Sequence, residues 1–120
     1  LAALRDRQVG KALALIHRDP GEDWSVETLA ARAGMSRSAF AARFAALTGQ
    51  APLRYLTDWR MRLARSRLID TADAVGTISG DLGYQSEAAF CRAFKRVFGM
   101  PPGHVRRMQA DGPPPIFAAG

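Results

Sequence analysis

The 120-residue chain lacks the features that several classes of protein require. It contains one cysteine and two histidines, which excludes an internal disulfide framework and a metal site built on clustered cysteines. No apolar run approaches the roughly 18 residues that a membrane-spanning helix needs, so no membrane partner is expected. Nor does the chain show the apolar-polar alternation that indicates β-strands. Its length and its 48% hydrophobic residues predict one small helical domain, or two very small ones.

Acidic residues are scarce beside basic ones. There are 17 Lys and Arg against 11 Asp and Glu, giving a net charge of +6, and 15 of the 17 are arginine. The excess lies in two blocks, with a net charge of +7 over residues 32–67 and +4 over residues 85–110. Arginine carries a planar fork that suits phosphates and guanine edges. The distribution favours a nucleic-acid partner, although solvated basic faces are also common.

The chain contains an internal repeat at an interval of 50 residues. From Ser36 and again from Ser86 it has the pattern S-x-x-A-F-x-x-x-F-x-x-x-x-G-x-x-P. Upstream the interval is 49, so the second copy has one extra residue near Tyr84 and Gln85. We therefore expect two copies of one structural unit. The matched positions are Val26/Val75, Leu29/Ile78, Gly34/Gly83, Ser36/Ser86, Ala39/Ala89, Phe40/Phe90, Phe44/Phe94, Gly49/Gly99 and Pro52/Pro102.

Each copy has the pattern of two helices joined by a tight turn. In the first copy Ser25 is a good N-cap, and Gly34 supplies the positive-φ residue that ends a helix. Ser36 then caps a second helix, which Gly49 ends. This arrangement predicts a helix-turn-helix, whose second helix enters the major groove of DNA. The apolar positions are Leu29, Phe40, Phe44 and Leu47 in one copy and Ile78, Leu82, Phe90, Phe94 and Phe98 in the other.

Two further helices complete an all-α fold, one over residues 3–18 and a long linker helix over residues 52–70. In the linker helix, Arg54, Asp58 and Arg62 have the spacing of a surface charge ladder. We expect a first helix-turn-helix subdomain at 1–50, the linker helix at 51–70, a second subdomain at 71–108 and a disordered tail at 109–120.

The outward faces of the two second helices are the candidate DNA-binding surface. Arg92, opposite Phe90, can fork onto a guanine, and the flanking Glu87 can accept from a cytosine amino group. Lys95 and Arg96 are placed to reach phosphates, and the alternative for all of these residues is an ordinary solvated charge. The face also includes Ala88.

The corresponding face of the first copy has almost no hydrogen-bonding capacity. It carries Ser38, Ala41, Ala42 and Ala45, flanked by Arg37 and Arg43. Small residues allow close contact with thymine methyl groups or with the shape of the groove. The alternative is a weak half that binds mostly through its arginines and its backbone.

The remaining candidates for chemistry have simpler explanations, and we expect no enzyme activity, cofactor or metal. His17 lies late in a helix, where a structural role is expected. Cys91 is either activated by the nearby cationic residues or a small residue that fits against a surface. Tyr84 either touches a phosphate or covers the core, and Trp24 packs ahead of an N-cap.

The second copy resembles the signature of the AraC/XylS family of bacterial transcription regulators. The residues that carry the likeness are Ile78, the run Leu82 to Lys95 (LGYQSEAAFCRAFK) and the run Gly99 to Pro102 (GMPP). The resemblance covers roughly residues 5–107. It implies the C-terminal DNA-binding domain of such a regulator, with about seven helices and two recognition helices in successive major grooves of double-stranded DNA. It also implies that Ala89 is one of the DNA-facing residues at the start of the second recognition helix. It also implies a bacterial, cytoplasmic, nucleoid-associated protein that regulates transcription.

The family also implies partners. Members carry an N-terminal effector-binding or dimerisation domain, and the start at Leu1 fits a piece of a longer protein. RNA polymerase is the other expected partner. A different function remains open at this point, namely a helical module that mainly docks such a protein partner and binds DNA only non-specifically.

Four positions depart from the family pattern. Arg67 stands where an apolar residue is usual, and Val105 where an aromatic is usual. Gly76 and Gly80 lie within the first helix of the second copy. Each glycine costs up to about 1 kcal/mol relative to alanine, so a soft helix is expected there.

Overall fold

The computed structural model describes residues 2–110, which form seven α-helices, and this confirms the all-α prediction. The last helix continues to Ala110, so the boundary of the second subdomain predicted at 108 is too early, and the tail predicted at 109–120 is helical in its first two residues. Residues 111–120 lie outside the described part. The helices are α1 (Ala2–Arg18), α2 (Val26–Ala33), α3 (Arg37–Thr48), α4 (Pro52–Asp70), α5 (Val75–Asp81), α6 (Glu87–Phe98) and α7 (Pro102–Ala110).

The predicted helix ends are confirmed by the cap geometry. The Ser36 hydroxyl accepts from the Ala39 N–H, and Ser86 caps α6 in the same way. The glycines that follow α2, α3 and α6 all have left-handed φ values between 74° and 80°. Only glycine adopts this conformation without steric cost, so the three residues fix where these helices end. They are Gly34, Gly49 and Gly99.

The chain divides into two compact units within α4, between Arg60 and Met61. Each unit has a separate hydrophobic core. The buried residues of the first are Val9, Ala12, Ile16, Trp24, Leu29, Ala30, Ala33, Phe40, Phe44 and Leu56. Those of the second are Met61, Ala64, Leu68, Ile78, Leu82, Phe90, Ala93, Phe94 and Val105.

Helix α4 contributes to both cores, and so it is more than a linker. Its first half contributes Leu56 to the first core, as α7 contributes Val105 to the second. Its second half buries Met61, Ala64 and Leu68 at i, i+3 and i+7. Helix α1 buries three residues of the first unit at the same spacing. Each unit is therefore a four-helix repeat, and the last helix of the first repeat is continuous with the first helix of the second.

Arginines hold the segment after the first helix of each unit. In the first unit, Arg60 donates to the carbonyls of Pro20 and Glu22 at 2.6 and 2.9 Å. In the second, Arg106 donates to the carbonyls of Leu68 and Thr71 at 3.2 Å. These bonds satisfy carbonyls at or just beyond a helix end, where no helical partner is available.

Two details differ from the sequence prediction. Leu47 continues the apolar spacing of α3, but it is 45% exposed and is not one of the residues of the first core. Asp58 accepts a hydrogen bond from the Gln50 side chain at 2.9 Å, so it holds the start of α4 as well as lying between Arg54 and Arg62.

Candidate nucleic-acid interface

Helix α6 is fixed by its phenylalanines and presents its charges outward. Phe90 and Phe94 are fully buried, with ring centroids 5.9 Å apart. The Tyr84 ring meets the edge of Phe90 at 5.5 Å, so Tyr84 covers this core. The predicted contact residues of α6 are all exposed except the half-buried Ala89. The exposed ones are Glu87, Ala88, Arg92, Lys95 and Arg96.

Ser79 connects α5 to the start of α6, and the sequence reasoning missed it. This serine is buried, and its hydroxyl donates to the Ser86 carbonyl at 3.3 Å. The corresponding position of the first unit is Ala30, which is buried without any such bond. A serine at a core position of the repeat was the available signal, since a buried hydroxyl needs a partner.

Helix α3 likewise buries its phenylalanines, but its outward surface carries small side chains with few polar groups. Phe40 and Phe44 are buried, whereas Ser38 and Ala42 are exposed and Ala41 is half-buried. Apart from Ser38, the polar side chains of this surface are Arg37 and Arg43, and both form ion pairs within the protein. The low hydrogen-bonding capacity expected from the sequence is thus present on the folded helix.

The two arginines predicted at this surface both form ion pairs with other helices. The Arg37 Nε lies 2.9 Å from a Glu27 carboxylate oxygen on α2, and both side chains are largely exposed. Arg43 instead contacts Asp6 on α1, with its Nε and Nη2 both 2.6 Å from Oδ1. The Arg43 side chain is only 31% exposed and is directed towards α1. The repeat equivalent of Arg43 is Ala93, which is buried in the second core.

The surroundings of Cys91 raise the pKa of its thiol, whereas the pKa of an activated thiol is lowered. Burial raises the pKa of its side chain, and the nearby Glu87 carboxylate raises it further. The cationic neighbours do not reverse this direction, so the thiolate fraction at neutral pH is low. The interpretation of Cys91 as a small packing residue is the one that the structure supports.

His17 contacts two aromatic residues of its own unit. Its Nε2 lies 2.7 Å from the Tyr55 hydroxyl, and its ring centroid lies 4.7 Å from that of Trp59. These contacts link α1 to the first half of α4, which is a structural role. Within the described residues, no group of three or more His, Cys, Asp or Glu is arranged to hold a metal ion. No helix between residues 2 and 110 is long and apolar enough to span a membrane.

Arg67 connects three segments of the second unit. It donates to the Asp73 carboxylate at 2.8 Å and to that of Asp81 at 2.9 Å. The hydrogen bonds from Arg67 hold the pKa of Asp73 below its usual value. The same bonds, to Asp73 first and then Asp81, raise the pKa of Arg67. A charged residue at a usually apolar position is therefore accommodated by two acids that bracket α5.

Comparison with known proteins identifies the family. The model of the helix-turn-helix domain family matches residues 29–108. A Streptomyces lividans protein classed as an AraC-like transcription regulator is 50% identical over 107 residues, covering 89% of this chain and 35% of that protein. The transcriptional regulator AlkR of Acinetobacter baylyi is 42% identical over the same shares. The chain thus spans about a third of the length of these curated relatives.

Solved structures agree with the sequence comparison. The DNA-binding domain of the global transcriptional factor AdpA, crystallised with a target DNA, aligns with a TM-score of 0.80 and 36% identity, covering 83% of this chain and 90% of that one. An AraC-type regulator from Chromobacterium violaceum shares the fold, with a TM-score of 0.79 and 23% identity over 90% and 96% of the two chains. The chain therefore belongs to the AraC family of transcription regulators and has the all-α helix-turn-helix fold of their DNA-binding domains.

Proposed function

We propose that the domain binds double-stranded DNA sequence-specifically through α3 and α6 and thereby regulates transcription. The observation that carries the proposal is the outward surface of α6. On one helix, an arginine that can fork onto a guanine, a carboxylate that can accept from a cytosine amino group and two cations that can reach phosphates are all exposed, whereas Phe90 and Phe94 are buried. The residues are Arg92, Glu87, Lys95 and Arg96.

The two recognition helices have different roles in this proposal. Helix α6 reads bases by hydrogen bonds, whereas α3 makes close contacts through Ser38, Ala41 and Ala42. The Arg37 side chain contributes near the groove, and Arg43 acts indirectly by holding α3 against Asp6 of α1. Ala88 and Ala89 let the start of α6 approach the bases closely. An operator for this domain is therefore asymmetric.

The test is selection of bound duplexes from a random DNA library. The selected duplex and a scrambled control are then titrated at one near-physiological salt concentration, because phosphate contacts make all affinities salt-dependent. We expect an asymmetric motif with two blocks about 10 bp apart, the spacing of successive major grooves. Arg92→Ala should relax one block and weaken binding to the selected duplex by about 10-fold or more.

A matched variant separates base reading from general electrostatics. Arg7→Ala removes the same charge from an exposed position on α1, and we expect it to leave the motif unchanged. Equal affinities for the selected and scrambled duplexes would contradict sequence-specific recognition. They would instead favour the module that docks a partner protein and binds DNA non-specifically.

The partners of the full-length protein are part of the same proposal. Since the relatives are about three times as long as this chain, an effector-binding or dimerisation domain and RNA polymerase are the proposed protein partners. Reporter transcription with the full-length protein, with and without the Arg92→Ala substitution, tests whether DNA binding by this domain controls transcription. Unchanged transcription in the variant would contradict that control.

A further inference from the structure

The first residue of each recognition helix is in contact with the second residue of the helix before it. In the first unit these residues are Arg37 and Glu27, whose charged groups lie 2.9 Å apart. In the second unit the repeat places Glu87 and Gly76 at the equivalent positions. A methyl group on Gly76 would lie 2.9 Å from the Glu87 Oε1 atom. The carboxylate therefore occupies the space that an alanine side chain would fill.

This contact has no obvious value for stability. Gly76 lies within α5 and does not have a positive φ, so its backbone conformation is open to any residue. Glycine in a helix is less favourable than alanine. No ion pair of Glu87 is present among residues 2–110, so the missing side chain at Gly76 is not offset by an attraction there. What the glycine does provide is room for the carboxylate at the start of α6.

The geometry points to Gly76 as a positioning residue for base recognition by Glu87. The Glu87 carboxylate rests against Gly76 at the start of α6, as the Arg37 guanidinium rests against Glu27 at the start of α3. A carboxylate in the major groove requires a donor, which the exocyclic amino group of a cytosine provides. At any other position beside the DNA, the Glu87 carboxylate repels the negatively charged phosphates. Gly76 thus helps to set which base α6 prefers. This inference rests on the proposed function, because it assumes that Glu87 faces DNA.

Two glycine substitutions in the same helix provide the experiment. Gly76→Ala displaces the Glu87 carboxylate, and the displacement is sterically easy because it moves the end of a flexible side chain. Gly80→Ala is the matched control, since a methyl group there meets nothing within 4 Å. Both substitutions favour the helical state of α5, so both should raise the thermal unfolding midpoint.

Base preference should separate the two variants. Glu87→Ala first identifies the operator position that Glu87 reads, with an expected loss of about 10-fold in preference for the amino-bearing base. At that position we expect Gly76→Ala to lower the preference by about 3-fold or more and Gly80→Ala to leave it unchanged. In a Glu87→Ala background, Gly76→Ala should have no further effect on the preference.

The possible failures are distinguishable. If no motif is selected, the proposed function fails. If a motif is selected but Glu87→Ala relaxes no position, or if Gly76→Ala leaves the preference unchanged or strengthened, only the inference about Gly76 is overturned. A further change caused by Gly76→Ala in the Glu87→Ala background would also overturn it, since Gly76 would then act through the helix and not through Glu87.

Discussion

The first helix of the helix-turn-helix differs sharply between the two units. In the first unit, α2 begins with a reciprocal capping box: the Ser25 hydroxyl accepts from the Thr28 N–H at 3.1 Å, and the Thr28 hydroxyl accepts from the Ser25 N–H at 2.9 Å. In the second, α5 begins after Ala74, which offers no side-chain cap. It also contains two glycines, so α5 has little helical stability of its own.

In the second unit, contacts with residues outside α5 stabilise this helix. The Arg67 guanidinium contacts Asp73 before the helix and Asp81 at its end. The buried Ser79 hydroxyl bonds to the turn that precedes α6. The same supersecondary motif is therefore stabilised by local capping in one unit and by non-local contacts in the other. A shared motif does not imply a shared source of stability.

The largest expected effect tests whether each unit depends on its own core. Phe44→Ala and Phe94→Ala remove fully buried rings at equivalent repeat positions, and each should cost about 3–5 kcal/mol. Both tryptophans, Trp24 and Trp59, lie in the first unit. In a urea titration of Phe94→Ala, circular dichroism should therefore lose helix before tryptophan fluorescence changes, and Phe44→Ala should shift the fluorescence transition. Coincident transitions for Phe94→Ala would mean that the two units unfold together.

Exchanging the caps tests the contrast between α2 and α5 directly. Ser25→Ala should lower the free energy of unfolding by about 1 kcal/mol, because the Thr28 N–H loses the hydroxyl that accepts its hydrogen bond. Ala74→Ser, at the equivalent position, should raise it by up to about 1 kcal/mol, since the Ala74 backbone already has the extended conformation of an N-cap. Chemical denaturation measures both. Equal and negligible changes would mean that packing alone determines where these helices begin.

The ion pair between α1 and α3 should have a smaller effect. Asp6→Ala and Arg43→Ala should each cost roughly 0.5–1 kcal/mol, and the double variant little more than either one. Asp6→Ala should also leave the salt dependence of DNA binding unchanged. If Arg43→Ala alone weakened DNA binding strongly while Asp6→Ala did not, Arg43 would be a DNA contact and not a positioning residue.

The smallest expected effect is the pH dependence of the stability that Asp73 contributes. Because Arg67 holds the pKa of Asp73 below its usual value, Asp73 contributes stability above the usual carboxyl range. That contribution is lost as the pH falls through and below this range. The difference in thermal midpoint between the wild type and Asp73→Asn should therefore be largest near neutral pH and shrink towards about pH 3. A constant difference would exclude the charge of Asp73 as its cause.

Local features of the fold could be predicted from the sequence, because the information lies within a few residues. Ser36 and Gly49 mark the ends of α3, and the structure has them in those roles. Leu47 shows the limit of periodicity, since spacing gives the face of a helix but not how far its partner extends. Arg43 shows a second limit. Its partner Asp6 is 37 positions away, and no local pattern distinguishes this arginine from one that is directed outward.

The same limits apply to the candidate interface. The exposure of Arg92, Lys95 and Arg96 follows from their position opposite Phe90, and it could be predicted. The contact between Glu87 and Gly76 could not, although the repeat aligns them with Arg37 and Glu27, because the direction of a flexible side chain depends on its surroundings. The ion pairs of Arg67 could not be predicted either, because its partners Asp73 and Asp81 lie in the loop after α4 and at the end of α5.

The two separate cores have a consequence for how such a domain changes over generations. After a duplication, a substitution tolerated by one core need not be compensated in the other. One of the two proposed recognition helices can then diverge while the other stays unchanged. The difference between the alanine-rich α3 and the charged α6 is the outcome expected from such independent drift. In the proposed role, the DNA sequence that such a regulator binds can change in one half of the operator at a time. Contacts to the other half then keep part of the recognition at every stage.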